Sequence, residues 1–322
     1  MREEEKMNNY KDKKILVTGA TGFVGKNLIL AMQKENYTNI IPVSSKEYNL
    51  LEQSDVRRMF QEKKPDVVIH LAGYIGGILA NKTKPADFIY KNLTMNTAVI
   101  DEAYKAGVSK FVFCIGGCSY PNDAPSPIKE TTLFTGFPAK ESAPYSLAKA
   151  IGHLQINAYR QQYGFNGITL VPGNIYGPFD NYSDENSHVI PGLIRRVDAI
   201  KKSNGKELIC WGSGKPVRDF VYIEDVAKAL IVALETYNEP ELINISSGNP
   251  TNIKDLVEQI VSLSGFTGEI VWDSSKPDGQ AYKVFDVTRM KDVLHFTCET
   301  SLSDGLAKTI KWFQENPTLV RR

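Results

Sequence analysis

The stretch "KILVTGATGFVG", residues 14–25, decides the fold. Its first half is a short apolar run without alternation, the pattern of a strand buried on both faces. Its second half sets Gly19, Gly22 and Gly25 in a T-G-x-x-G-x-x-G arrangement, and "GKNLILAMQKE" (25–35) continues with helical periodicity. Strand, glycine turn and helix in that order form an anion site. Gly19 permits the tight turn, Gly22 lets backbone approach a pyrophosphate, Gly25 lets the helix pack close to the strand, and the helix N-terminus attracts phosphate. Thr21, Phe23 and Val24 complete the turn. In this context the motif predicts a bound dinucleotide, whereas elsewhere it would read as a glycine-rich turn alone.

The same alternation fills the first half of the chain. "NIIPVS" (39–44), "DVVIHLAG" (66–73), "KFVFCIG" (110–116) and "GITLVPG" (167–173) read as further buried strands. Between them, "QSDVRRMFQEK", "ADFIYKNLTMNTAVIDEAYKAG" and "PYSLAKAIGHLQINAYRQQYG" have helical periodicity. Strand and helix in turn imply right-handed crossovers and a parallel sheet covered on both faces, an α/β doubly wound Rossmann fold. After Gly173 the regularity breaks. "NIYGPFDNYSDENSHVIPG" (174–192) is dense in Asn, Asp, Gly and Pro and reads as a functional loop, followed by a short amphipathic helix, "LIRRVDAIKKS" (193–203). "VRDFVYIEDVAKALIVALETY" (217–237) and "LINISSG" (242–248) read as a helix–strand pair returning to the sheet. The expected organisation is a dinucleotide-binding domain over 1–175, completed by about 216–248, and a smaller C-terminal substrate-binding cap over 176–215 and 249–322.

With 322 residues, 38 basic and 37 acidic side chains and a net charge of +1, no global field selects nucleic acid or an anionic membrane. No apolar run reaches the roughly 18 residues of a membrane span, and "MREEEKMNNYKDKK" at the start is too polar for a secretory signal, so a cytoplasmic protein is expected. Cys114, Cys118, Cys210 and Cys298 show no CxxC or His/Cys metal spacing. They read as free thiols in a reducing compartment, with no metal site.

Cofactor choice is made at the end of the second strand, where an acid would bond the ribose 2′-hydroxyl of NAD. "PVSSKEYN" (42–49) offers Ser44, Ser45 and Lys46 there, which favours NADP(H) over NAD(H), with Glu47 as the competing acid. In "PYSLAK" (144–149), Tyr145 and Lys149 stand at i and i+4 on one helix face. A lone pair of this kind is commonly a solvated helix surface. Here it precedes the fifth strand of a dinucleotide fold, where the tyrosine can pass a proton to a substrate oxygen as hydride moves to carbon. Free tyrosine titrates at about 10, and a neighbouring ammonium is expected to lower it.

The glycine turn together with Tyr145 and Lys149 resembles the extended short-chain dehydrogenase/reductase superfamily, and most of the chain resembles its GDP-L-fucose synthase branch. The matching stretches are "GGILAN" (76–81), "CSYP" (118–121), "PYSLAK", "NIYGPFDN" (174–181), "ENSHVIPGLIRR" (185–196), "WGSGKPVRDFVYIEDVA" (211–227) and "SKPDG" (275–279). The turn departs from that branch, which usually has Gly-His-x-Gly where this chain has "GATG". The resemblance implies an NADPH-dependent epimerase/reductase of a GDP-4-keto-6-deoxy sugar. It makes Cys118 and His188 the acid/base pair for epimerisation, and a thiol near 8.5 and an imidazole near 6.5 can trade protons around neutrality, roughly as that chemistry needs. It also implies Leu71, Ala72, Gly73, Pro172, Asn174 and His188 around the cofactor. For the substrate it implies Arg218 at a diphosphate, Arg195 and Trp211 toward the nucleotide, Lys283 at a further anion, and Asn174, Ser187 and Val189 near the sugar. A homodimer through 85–106 and 144–163 is the implied assembly.

"FCIGGCSYP" is the exception. The superfamily usually places Ser or Thr where this chain has Gly116, so one carbonyl-binding hydroxyl is missing. On an extended strand, 116 and 118 share one face, and Ser119 points away with Gly117. The glycines are expected to exchange a donor for space around Cys118 and Ser119. Two other readings stay open: C4 reduction without epimerisation, for example of a GDP-4-keto-heptose, and an inactive NADP-binding sensor or scaffold.

Overall fold

A computed structural model describes residues 9–184, 186–276 and 278–321, so the run 1–8, Glu185 of "ENSHVIP" and Pro277 of "SKPDG" lie outside the described residues. The first half runs β1 (Ile15–Thr18), α1 (Phe23–Lys34), β2 (Ile40–Val43), α2 (Gln53–Lys63), β3 (Val67–His70), α3 (Ile78–Thr83), α4 (Pro85–Lys105), β4 (Lys110–Cys114), a 3-10 turn (Gly117–Ser119), α5 (Ala143–Tyr163) and β5 (Gly167–Pro172). The second half adds β6 (Asn174–Tyr176), α6 (Val189–Lys202), β7 (Glu207–Trp211), β8 (Val217–Arg218), β9 (Phe220–Tyr222), α7 (Ile223–Thr236), β10 (Ile243–Ile245), β11 (Thr251–Asn252), α8 (Ile253–Leu263), β12 (Glu269–Asp273), β13 (Tyr282–Lys283), α9 (Thr288–Val293) and α10 (Leu302–Glu315).

Successive side chains of a strand point to opposite faces, and the unbroken apolar runs therefore build two cores. Ile15 and Val17 of β1 pack with Leu28 of α1 and Leu230 of α7, while Leu16 packs with Met59 of α2, Ile100 of α4 and Ile156 of α5. The result is a six-stranded parallel sheet in the order β10-β5-β4-β3-β1-β2. Register aligns Thr18 with Val43 and His70, and His70 with Phe113, so the strands end together at one edge. The chain leaves β1 for β2 on one side and crosses to β3 on the other, and the crevice at such a switch point is where ligands bind.

Beyond this sheet the second half of the chain forms a three-stranded sheet, β11-β8-β13, a two-stranded one, β12-β7, and a β6–β9 pair. Two expectations for 174–203 change. The stretch read as a loop opens with β6, and α6 starts at Val189 rather than Leu193, because "VIPG" after His188 supplies Pro191 within the first turn, where a proline is tolerated.

Candidate active site

The β1–α1 turn is shaped for a ligand that approaches its backbone. Gly19 has φ +68, and a Cβ there would stand 2.7 Å from the Ala72 nitrogen. At Gly25 a Cβ would overlap the Gly19 carbonyl and lie 2.8 Å from the Ala20 Cα. Gly22 differs: a Cβ would meet only the Gly19 oxygen, at 3.0 Å, so the side facing away is open. Gly22 is also the N-cap of α1, no side chain caps that end, and the first turn carries no acid. These residues fit the pyrophosphate of a dinucleotide, because the helix's free N–H groups and its dipole face the open side. Exposed Thr21 and half-buried Phe23 and Val24 follow the turn.

After β2, Ser44 is half-buried and Ser45 and Lys46 are exposed in a turn. Glu47, the acid that would favour NAD, is paired with Lys63 at 2.6 Å. That pairing offsets the charge of Glu47 beside exposed Ser45 and Lys46, an environment suited to a 2′-phosphate.

Beneath the cofactor edge, Thr18, His70 and Asn96 form a buried chain that sequence reasoning missed. Thr18 Oγ1 lies 2.7 Å from His70 Nδ1, and His70 Nε2 lies 3.1 Å from Asn96 Oδ1. With Asn96 accepting, the ring proton sits on Nε2 and Thr18 donates to Nδ1. Thr18 Oγ1 then accepts from the Ala72 N–H at 3.2 Å, and the Ala72 carbonyl accepts from Lys149 Nζ at 3.4 Å. Leu71, Ala72 and Gly73 thus form a wall beside Lys149, with a Gly73 Cβ falling 3.5 Å from Lys149 Cε. Burial, then the Lys149 charge, hold His70 down at about 3, so it stays neutral.

Tyr145 and Lys149 rise from the first turns of α5, where Tyr145 packs edge-on against Phe88 with centroids 6.2 Å apart. Burial lowers Lys149 to about 8, against the attraction of Cys114 and Cys118. The expected lowering of Tyr145 is not found: burial pushes its hydroxyl up, and the Cys118 and Cys114 sulfurs push the same way. The physical reason is that burial takes the charged phenolate out of water and so favours the neutral phenol. Cys114, at the end of β4, is pushed up to about 12 by burial.

The two glycines of "FCIGGCSYP" separate in role. Gly116 is extended (φ −86, ψ 150), a conformation any residue adopts. A Cβ there would lie 3.7 and 3.8 Å from Cε1 and OH of Tyr145 and 3.2 Å from Cys118 Sγ, so the missing side chain points at the tyrosine. Gly117 offers no such room: a Cβ would overlap the Phe285 ring, with Cε1 at 2.7 Å. The expectation that both glycines open space is corrected at Gly117, whose place is filled by Phe285. The expected extended path is corrected as well, since 117–119 form a 3-10 turn with Ser119 N–H bonded to the Gly116 carbonyl at 2.9 Å. Ser119 is nevertheless turned away, because its hydroxyl donates to the Ser146 carbonyl of α5 at 3.1 Å.

The second half of the chain supplies a further group of the expected side chains. Asn174, two residues after Pro172, donates to the Asp219 carbonyl at 2.8 Å. Arg218 donates to the Val217 and Gln280 carbonyls at 2.7 and 2.6 Å, and burial lowers its pKa. Lys283 is lowered by burial first, then feels Cys118, Arg218 and Asp219, and its Nζ lies 6.0 Å from the centroid of the Phe285 ring. Asn186 reaches toward Gly76, where a Cβ would meet Asn186 Oδ1 at 3.3 Å and the Phe88 ring at 3.1 Å. The loop of Ser187 and His188 is therefore docked near the aromatic wall behind Tyr145. His188 and Val189 are solvent-accessible, yet protein crowded around the imidazole lowers its pKa by desolvation. Farther out, Arg195 pairs with Asp184, and Trp211 is 71% exposed with Lys276 Nζ 5.9 Å from its ring centroid. Among the described residues no cluster of three or more His, Cys, Asp or Glu is placed to hold a metal.

Residues 15–246 match the NAD dependent epimerase/dehydratase family. The chain is 41% identical over 306 residues to a putative GDP-L-fucose synthase 2 of Arabidopsis thaliana, covering 95% of this chain and 93% of that protein. A GDP-L-fucose synthetase from Naegleria fowleri bound to NADP superposes with a TM-score of 0.93 at 28% identity, covering 99% of this chain and 98% of that one. A GDP-D-glycero-L-gluco-heptose synthase from Campylobacter jejuni, solved with NADPH, gives 0.88 at 27% identity over 95% of this chain and 100% of that one.

Proposed function

The chain belongs to the NAD dependent epimerase/dehydratase family, and we propose that it is an NADP-dependent epimerase/reductase of a GDP-4-keto-6-deoxy sugar, yielding GDP-L-fucose or a close relative for surface glycans. One observation carries the reading: Tyr145 and Cys118 flank Gly116, and Lys149 on the same helix donates to the Ala72 carbonyl, which lies beside the Gly19 turn.

The β1–α1 turn would hold NADP(H), which would supply the hydride for the C4 carbonyl. Tyr145, kept protonated by burial, donates to the C4 oxygen. Lys149, charged in its larger part at neutral pH, holds the cofactor's ribose side and restores the tyrosine proton. The C4 ketone acidifies the C–H bonds at C3 and C5, and Cys118 and His188 remove and return protons there. Arg218 serves the diphosphate and Lys283 a further anion contact, tasks for which partly desolvated cations are suited. Arg195 and Trp211 serve the nucleotide, and Asn174, Ser187 and Val189 line the sugar. In this reading 176–215 and 249–322 form the nucleotide-sugar cap, and 1–175 with 216–248 the cofactor domain. Exposed Tyr90, Ile151 and Leu154 on α4 and α5 form the seam of a homodimer. Among the described residues no helix is long and apolar enough to cross a membrane, and four free cysteines suit the cytoplasm.

The opening at Gly116 favours one second reading, C4 reduction of a larger GDP-4-keto-heptose. Oxidation of NADPH by GDP-4-keto-6-deoxy-mannose, abolished by Tyr145→Phe, supports the main reading. Oxidation with the heptose alone supports the second, and none with either leaves a binding-only role.

A further inference from the structure

Phe285 is a cap residue, two positions after Lys283 of β13, yet its ring lies in the floor of the crevice. Gly117, just past β4, receives it, since a Cβ there would overlap the ring; Gly173, just past β5, lies alongside, where a Cβ would first overlap Ser246 Oγ and stand 3.3 Å from Phe285 Cδ2. The ring is buried, sits 6.1 Å from the Tyr120 ring, and has the Lys283 ammonium 6.0 Å from its centroid. Its backbone is fixed too: the Phe285 N–H donates to Asp219 Oδ2 at 3.1 Å, and the residue bridges Ile128. Tyr120, which ends the Cys118 turn, is buried and donates to Asn244 Oδ1 at 2.6 Å. The turn that carries Cys118 thus rests on a side chain supplied by the substrate cap.

The geometry points to Phe285 as a positioning residue for epimerisation: its ring, seated against Gly117, sets where Cys118 stands and ties that position to the cap segment bearing Lys283. The inference rests on the epimerase/reductase reading above. A ring packed this closely leaves the three-residue turn one place to lie, and interiors resist partial displacement. Gly117 is then required by Phe285, not by its own backbone angles.

A cycle of Phe285→Leu, Gly117→Ala and the double variant tests this in the full chain. With NADP+ and GDP-4-keto-6-deoxy-mannose in deuterated water, each single change is expected to slow solvent-deuterium exchange at C3 and C5 by about fivefold or more. KM for the sugar and Kd for NADPH should stay within about twofold, and the double variant should recover most of the rate, because the added methyl occupies space the ring vacated. The rate of Cys118 alkylation by iodoacetamide, read by peptide mass without substrate, should change in the singles and return in the double. Losses in exchange matched by losses in KM or Kd, or a double variant no better than the singles, would overturn the inference. Wild-type protein that neither exchanges nor reduces this sugar would sink the functional reading instead, and the alkylation cycle would still decide the coupling.

Discussion

At the scale of single residues, the chemistry turns on which groups hold protons. Gly116 has ordinary backbone angles and faces the Tyr145 hydroxyl, so a serine fits there once Cys118 Sγ gives by a few tenths of an ångström. Gly116→Ser is expected to raise kcat for C4 reduction of the 6-deoxy substrate, because one such donor is worth on the order of 10²–10³ in rate. Steady-state kinetics with unchanged thermal midpoint would bear this out, and an unchanged or lower kcat would show that another donor already serves. Lys149 provides a pH signature. Its pKa is lowered to about 8, so the charged form dominates below that and is lost above it. Reduction should fall about tenfold per unit as pH rises past 8, and Lys149→Met should remove that limb along with most of the activity. Tyr145 and Lys149 were legible from their i, i+4 spacing. The direction in which Tyr145 shifts was not, because burial depends on Phe88 and the Cys118 turn, neither adjacent in sequence to the tyrosine.

Among elements, the β1–α1 turn and the end of β4 show how unequal glycines are. Gly25 faces backbone on all near sides, whereas Gly22 is crowded only by the Gly19 oxygen. Gly22→Asp should therefore leave the thermal midpoint within a few degrees while weakening NADPH binding at least about tenfold through charge repulsion at the helix N-terminus. Gly25→Ala should unfold at markedly lower temperature, since overpacking against backbone costs about 1–3 kcal/mol or more. Calorimetry and cofactor titration separate the two. The strand–helix alternation was readable because buried parallel strands write continuous apolar runs. The 3-10 turn at 117–119 was not, since it is set by a distant contact, Phe285 under Gly117.

For the molecule as a whole, two buried histidines tie stability to pH. His70 and His153 are held at about 3 and about 4 by burial, against an unfolded value near 6.5. The unfolded chain binds more protons between these values, so stability is full above about 6.5 and falls as pH drops toward 4, by at most about 1.4 kcal/mol per unit for each histidine. His153→Gln should flatten the slope of urea midpoint against pH by about half, and an unaltered slope would assign acid sensitivity elsewhere. His153 and the Thr18–His70–Asn96 chain gave no signal in sequence, where each looks like an isolated polar residue in an apolar run. The second half's contribution was legible only as matching stretches, since its small sheets pair strands that lie far apart along the chain, as in Glu207 with Glu269 and Val217 with Tyr282. What unites sheet, turn and cap is one crevice that reduces C4 and inverts C3 and C5. Purified protein, NADPH and GDP-4-keto-6-deoxy-mannose in deuterated water test that most directly, with loss of reduced-nicotinamide absorbance followed alongside the product by NMR. The account predicts cofactor oxidation with deuterium at both C3 and C5 of the reduced sugar; oxidation without deuterium at either carbon, or no oxidation, would contradict it.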